Sequence, residues 1–206
     1  MEFSSIQVII EAMRAGEMVI MVDDESRENE GDLIISASMI TEKAVNFMIS
    51  YAKGLLCLPL HIDRCKVLNL KPMTRHNEDA FGTNFMISID AKEHISTGIS
   101  VKDRTYTIHL ASQLETDESQ FVSPGHIFPL CAKENGVLER AGHTEAAVDL
   151  DLLAGFNGSA AIIEILNEDG TMARGQQLFD FAQKHHLKIA TIKDLIEYRK
   201  NLAKTS

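Results

Sequence analysis

The chain has 206 residues, 45% apolar and 24% charged, enough to bury one sizeable core. Thirty acidic residues against 20 basic ones leave a formal net charge of -10, which argues against a nucleic-acid partner, because a phosphate backbone calls for clustered Lys and Arg. A few placed arginines still suffice to hold one small phosphate. The three cysteines, Cys57, Cys65 and Cys131, form no CxxC pair and are odd in number, which fits a reducing compartment. With no basic-then-apolar leader and no apolar run near the roughly 18 residues that cross a bilayer, the expectation is a soluble cytoplasmic protein without a membrane partner.

No linker-like stretch and no internal repeat interrupts residues 1–206, so a single domain is expected. Ile6, Ile9, Ile10 and Met13 recur at helical spacing, and Gly16 is placed to end that helix. Met18 to Val22 reads as a buried strand, Asp23 to Asp32 as a polar loop, and Leu33 to Ile35 as the next strand. Thr41 caps a helix with Ala44, Val45, Met48 and Ile49 on one face. Leu55 to Leu60 is strand-like, and Phe85, Ile87 and Ile89 alternate with Met86, Ser88 and Asp90 in the period of a half-buried strand. Ser100, with Asp103 three residues on, predicts a capped helix start. Gly142 to Ala154 predicts a helix ending at Gly155, and Ala160 to Leu166 a central strand. Helices near 176–186 and 194–203 flank a short strand at 189–192. Strands interspersed with helices indicate a layered α/β (α+β) domain, a mixed sheet flanked by helices.

Four features carry chemistry. The loop DDESRENEGD packs Asp23, Asp24, Glu25, Glu28, Glu30 and Asp32 into ten residues, offset only by Arg27. Such a run is either a solvated surface loop or a seat for a hard divalent cation, magnesium or manganese, with Glu28 and Glu30 facing the ion if the loop is extended. The spacing is not that of an EF-hand. Gly31 allows tight backbone geometry beside it. His126 lies between a Pro-Gly turn and an apolar strand, as a held side chain or an ordinary turn histidine. Arg140, His143 and Thr144 begin a helix whose free N–H groups and dipole favour an anion, although His143 can equally bond nearby backbone. Glu164 interrupts an apolar strand, where a charge is costly unless satisfied, so it is a candidate proton acceptor or donor, or else a solvent-facing residue of an edge strand.

The segments RENEGD (27–32), FGTNF (81–85), TGIS (97–100), SPGHIFPL (123–130), RAGHTEA (140–146) and NEDGTMAR (167–174) closely resemble 3,4-dihydroxy-2-butanone 4-phosphate synthase over nearly the whole chain. The resemblance implies a lyase of riboflavin biosynthesis that converts D-ribulose 5-phosphate into 3,4-dihydroxy-2-butanone 4-phosphate and formate. The implied route runs through a metal-stabilised enediolate and a skeletal rearrangement. It implies Mg2+ or Mn2+ held by Glu28 and His143, substrate contacts from Arg27, Glu28, Asp32, Arg140, Ala141, Gly142, His143, Thr144 and Glu164, and catalysis by His126 and Glu164. Arg140 and Thr144 are the expected phosphate anchors, with Ser100 and Arg104 as weaker candidates. Cys57 is either beside the site or simply a buried apolar residue. The resemblance also implies a homodimer with sites near the subunit interface. Some relatives carry a GTP cyclohydrolase II domain, whose zinc needs clustered cysteines; none is expected here. Competing readings are another metal-dependent sugar-phosphate isomerase or aldolase, and a metal- or ligand-binding module without catalysis.

Overall fold

The computed structural model describes residues 2–205, with the backbone alone for Thr205. Seven strands, β1 (Val19–Val22), β2 (Gly31–Ser36), β3 (Cys57–Leu60), β4 (Ile89–Ala91), β5 (Phe121–Cys131), β6 (Ala160–Glu164) and β7 (Lys188–Thr191), form one sheet in the order β4-β5-β3-β6-β2-β1-β7. The pairs β1–β7 and β3–β5 are parallel and the others antiparallel, so the expected mixed sheet is present. Seven α-helices accompany it: α1 (Ile6–Arg14), α2 (Glu42–Phe47), α3 (Ile62–Val67), α4 (Val101–Ser112), α5 (His143–Leu153), α6 (Gln176–His185) and α7 (Ile192–Thr205).

Both faces of the sheet are buried, and alternation along each strand sends neighbours to opposite sides. Val19 and Met21 of β1, Ile34 of β2 and Ile162 of β6 pack with Ile9, Ala147, Leu150 and Leu195 of α1, α5 and α7. Ile20, Leu33, Ile35 and Ile163 point the other way, toward Val45, Ile108 and Leu178 of α2, α4 and α6. Each fully buried isoleucine or leucine contributes roughly 1.5–3 kcal/mol, so the three layers are held by burial on both sides. The helix starts follow their caps: the side-chain oxygens of Ser5, Thr41 and Ser100 accept backbone N–H bonds from Val8, Ala44 and Asp103. Gly16 takes a left-handed conformation after α1.

Some expectations need correction. The acidic loop ends at Glu30, because Gly31 and Asp32 already pair with Val22 and Met21 in the sheet. Gly31 has no left-handed φ; it is needed because a Cβ there would stand 2.8 Å from Leu178. The alternation at 85–90 has the opposite phase: Met86 and Ser88 are buried and Ile87 is exposed. Of the strand expected here only Ile89–Ala91 forms one, and Phe85 and Met86 make isolated bridges to Leu130 and Pro72, so no single ladder sets which side chains of 85–88 face inward. Pro124 and Gly125 do not form a turn. They lie within β5, after a cis Ser123–Pro124 bond, and Gly125 leaves room for the backbone of Ile89 and Asp90.

The fold brings several element ends together. Asp32, near the start of β2, is in register with Glu164, the last residue of β6, and Cys57 opens β3 opposite Ile162. The N-terminus of α5 reaches the same corner.

Candidate active site

The acidic loop is shaped by its own first residue. Asp23 is 6% exposed; its Oδ2 accepts hydrogen bonds from Arg27 Nη1 at 2.8 Å and Glu28 N at 3.1 Å, and its Oδ1 from Glu30 N at 2.9 Å. Asn29 takes a positive φ to complete the fold-back. From outside, Arg174 of the NEDGTMAR segment donates to the Glu28 carbonyl and to Glu30 Oε1, both at 3.3 Å. The loop is therefore closed rather than extended, and it brings Glu28 and Asp23 close to His143 at the start of α5.

There Glu28 Oε2 stands 3.4 Å from His143 Nδ1, and Asp32 Oδ1 stands 3.9 Å from the same nitrogen. Both His143 and Asp32 are buried, and His143 Nε2 and Asp32 Oδ1 have no hydrogen-bond partner in the protein. Burial and the neighbouring carboxylates act on them in opposite ways. Burial favours neutral His143, but the carboxylates of Asp32, Glu28 and Asp23 prevail and its pKa is raised to about 9. Burial pushes Asp32 up to about 7 against the pull of His143, and the carboxylates of Glu164, Glu28 and Glu30 add to the rise. In Glu28 itself burial is outweighed by hydrogen bonding to His143 and the charge of Arg27, so its carboxyl lies below the usual range.

Ligand atoms of Asp23, Glu28 and His143 lie within 4.8 Å of one another. Asp23 already receives three N–H bonds, so its role is to hold the loop. Glu28 and His143 are the groups left to hold a cation, with the unpartnered Asp32 oxygen beside them, and carboxylate oxygen with one imidazole suits magnesium or manganese. Glu30 is bonded to Arg174 and lies outside the group of Asp23, Glu28 and His143, although it lines the same cavity.

These residues line a cavity of about 210 Å³ that also includes Arg27, Arg140, Thr144, Cys57 and Glu164. Glu164 is half-buried at the end of its strand, not in the strand interior, and its Oε2 accepts the Leu55 N–H at 2.8 Å. Thr144 lies in the first turn of α5, which begins at His143 behind Gly142, an N-cap without a side chain. A Cβ on Gly142 would collide with Arg140 Nη1 and come within 3.0 Å of Arg27 Nη2, so two guanidinium groups converge on a helix N-terminus, a favourable seat for an oxyanion. Arg27 Nη1 also meets Glu28 Oε2 at 3.0 Å, and its guanidinium lies 5.1 Å from the centre of the Phe81 ring. Ala141 and Gly142, which lead into α5, are not among the cavity's lining residues.

His126 stands apart. It is not among the cavity's lining residues. Its Nδ1 is 2.7 Å from Asp90 Oδ2, its backbone N–H donates to Asp90 Oδ1 at 2.9 Å, and its side chain is 42% exposed. Gly98 packs against this pair where no Cβ would fit. Asp103 Oδ2 pins the TGIS segment by accepting from Ser96 Oγ at 2.6 Å and Gly98 N at 3.0 Å. The TGIS and SPGHIFPL segments thus form one cluster, and RENEGD and RAGHTEA another. Ser100 serves as the cap of α4, and the Nε of Arg104 on that helix is buried without a partner.

Sequence reasoning missed Asp23 as the loop's organiser, Asp90 behind His126, and Thr83 and Asp79 in the cavity wall. Asp90 left a trace, as a polar residue on an otherwise apolar strand; Asp79 and Thr83 sit in a charged loop whose sequence does not show which side chains turn inward.

The sequence model of the family described as 3,4-dihydroxy-2-butanone 4-phosphate synthase matches residues 7–198. Riboflavin biosynthesis protein RibBA of Aquifex aeolicus (strain VF5) is 54% identical over 200 residues, covering 96% of this chain and 49% of that protein. The 3,4-dihydroxy-2-butanone 4-phosphate synthase of Photobacterium phosphoreum is 53% identical over 199 residues, covering 97% and 55%. The chain spans about half the length of the curated relatives it matches. Among solved structures, a 3,4-dihydroxy-2-butanone 4-phosphate synthase in complex with two magnesium ions superposes with a TM-score of 0.93 at 39% identity, covering 97% of this chain and 98% of the other. With a matched sequence model, close relatives and a shared fold in agreement, the chain belongs to the 3,4-dihydroxy-2-butanone 4-phosphate synthase family.

Proposed function

We propose that this chain is a lyase that converts D-ribulose 5-phosphate into 3,4-dihydroxy-2-butanone 4-phosphate and formate, supplying carbon for riboflavin, with magnesium or manganese as cofactor. One observation carries the reading: Glu28, Asp32, His143 and Glu164, remote in sequence, line one cavity together with Arg27 and Arg140. A relative solved with two magnesium ions supports the cofactor. Bound at Glu28 and His143, the cation supplies Lewis-acid stabilisation of the negative charge that develops on sugar oxygens. Arg140, Arg27, Thr144 and the backbone from Ala141 to His143 hold the phosphate at the start of α5 and so fix the reacting carbons in register. Asp32 contacts a sugar hydroxyl, and Glu164 exchanges protons with the carbons being enolised and rearranged.

His126 is assigned the second proton-transfer role, and its exposed ring supports a homodimer in which it reaches the cavity of the other protomer. Asp90 orients it by holding Nδ1, which leaves Nε2 free for substrate. A cytoplasmic location suits three free, buried cysteines, and no described helix is long and apolar enough to cross a membrane. One domain with one activity is proposed for these 206 residues, since the dispersed cysteines make no zinc cluster. The test is formate release from ribulose 5-phosphate with and without magnesium. Release that a chelator abolishes is the expected result; conversion without formate, or chelator-resistant release, would refute the assignment.

A further inference from the structure

The RAGHTEA segment contains an acidic residue that the proposed reaction does not use. Glu145, in the first turn of α5, is 2% exposed, and a carboxylate so deep is tolerated only when its oxygens are satisfied. Oε1 accepts the Lys133 N–H at 3.1 Å, and Oε2 accepts Arg140 Nη1 at 2.5 Å. Arg140 is held at two further points: Nε donates to the Phe81 carbonyl at 2.9 Å and Nη2 to Thr83 Oγ1 at 2.8 Å. A guanidinium is planar and carries five N–H bonds, so three contacts of this kind set its plane and leave one N–H on each Nη for an oxyanion. Without them the guanidinium would have other partners to choose from, because Asp79, Glu28 and Asp32 share the same cavity.

We propose that Glu145 is a positioning residue for substrate binding: with Thr83 as the second pin, it holds Arg140 away from the cavity's own carboxylates and presents its free N–H pair to the phosphate. The inference rests on the reading of Arg140 as phosphate anchor. Its cost to the fold is low, since the negative charge of Glu145 also complements the N-terminus of α5.

The experiment compares wild type, Glu145→Gln, Thr83→Val, Arg140→Ala and the Glu145→Gln/Arg140→Ala double variant. It follows formate release kinetics, inorganic phosphate binding by calorimetry, and Tm. Loss of a charge-assisted bond to Arg140 should raise the KM for ribulose 5-phosphate and the Kd for inorganic phosphate roughly ten- to a hundredfold in Glu145→Gln, with kcat within about threefold of wild type. Thr83→Val should move both constants the same way by about three- to tenfold, and it keeps the question answerable if Glu145→Gln folds poorly. In the double variant Glu145→Gln should add nothing to Arg140→Ala. An unchanged phosphate Kd in both single variants, a kcat loss without a KM change, or multiplicative effects in the double variant would overturn the role of Glu145. Phosphate binding is read whether or not formate appears, so absent formate in wild type sinks the assigned reaction, whereas the phosphate constants judge Glu145.

Discussion

Cation binding at this site should depend steeply on pH, in a direction fixed by two buried groups. His143, with a pKa of about 9, must lose a proton before its imidazole nitrogen can ligate, and Asp32, at about 7, is only half ionised at neutral pH. Each proton displaced weakens apparent affinity about tenfold per pH unit below the group's pKa. Between pH 8.5 and 7.5 His143 alone acts, giving about tenfold; between pH 7 and 6 both act, approaching a hundredfold. The sign for the cation-free protein is opposite. A histidine whose folded pKa is raised from 6.5 to about 9 stabilises the fold fully below pH 6.5, and that contribution is lost as pH rises through about 9. Magnesium chloride should be titrated at pH 6.5, 7.5 and 8.5, at constant ionic strength and protein concentration, with Tm as the readout. At a hundred times Kd the ion adds about 2.7 kcal/mol, or about 5–10 °C for a chain of this size. Glu28→Gln should remove most of the shift at every pH. An apparent Kd that agrees within threefold at pH 6.5 and 8.5 would refute the reasoning, since it would mean that His143 carries no proton to displace.

Glu164→Gln and His126→Ala should each lower turnover about a hundredfold or more with Tm little changed; near-normal formate release in both would favour a binding module over an enzyme. Gly98→Ala should lower activity and stability together, because the residue has a φ of +91° and its Cβ would strike Asp90 and His126. About 1–3 kcal/mol is expected, and an unchanged Tm and rate would contradict the tight packing seen there. Asp151 is fully buried, and burial raises its pKa to about 6 despite N–H bonds from Gly158 and Ser159. Because the folded state holds this proton more tightly, stability is lost as pH rises from about 4 through about 6, by an amount on the order of 3 kcal/mol at most. Asp151→Asn should flatten that slope, and parallel Tm–pH curves for variant and wild type between pH 4 and 8 would refute it.

Much of the architecture was legible because local patterns and tertiary burial agree. The helical spacing of Ile6, Ile9, Ile10 and Met13 is the face that α1 buries, and the Thr41 and Ser100 caps open helices where the residue types indicate. Ile87 failed for a physical reason: period-two reasoning assumes one unbroken ladder, whereas Phe85 and Met86 bridge separate partners and the strand begins only at Ile89. Glu164 was singled out by its charge in an apolar run, but only the antiparallel register puts it beside Asp32 at a strand end. The burial that perturbs a carboxylate falls on Asp32, whose sequence context reads merely as the end of an acidic loop. Two residues from the same loop, Asp23 and Glu28, look alike in sequence and diverge in use, because the loop closes around the first and turns the second toward His143.

The chain's charge gains its meaning from this distribution. A net charge of -10 would repel a sugar phosphate from an evenly charged surface, yet the cavity combines Glu28, Asp32 and Glu164 with Arg27 and Arg140, whose guanidinium groups meet beside Gly142 at the start of α5. A sugar phosphate has the same polarity: a dianion at one end, and hydroxyl and carbonyl oxygens suited to a cation at the other. Arg27 links the two sets of charges, since it pairs with Asp23 and Glu28 through Nη1 while Nη2 lies beside Gly142. A cation bound at Glu28 would compete with that pairing and free guanidinium charge for the proposed phosphate, so the acidic loop would influence anion binding as well as metal binding. Six acidic residues in ten are compatible with a phosphate substrate because the fold sets their single arginine where both charges meet.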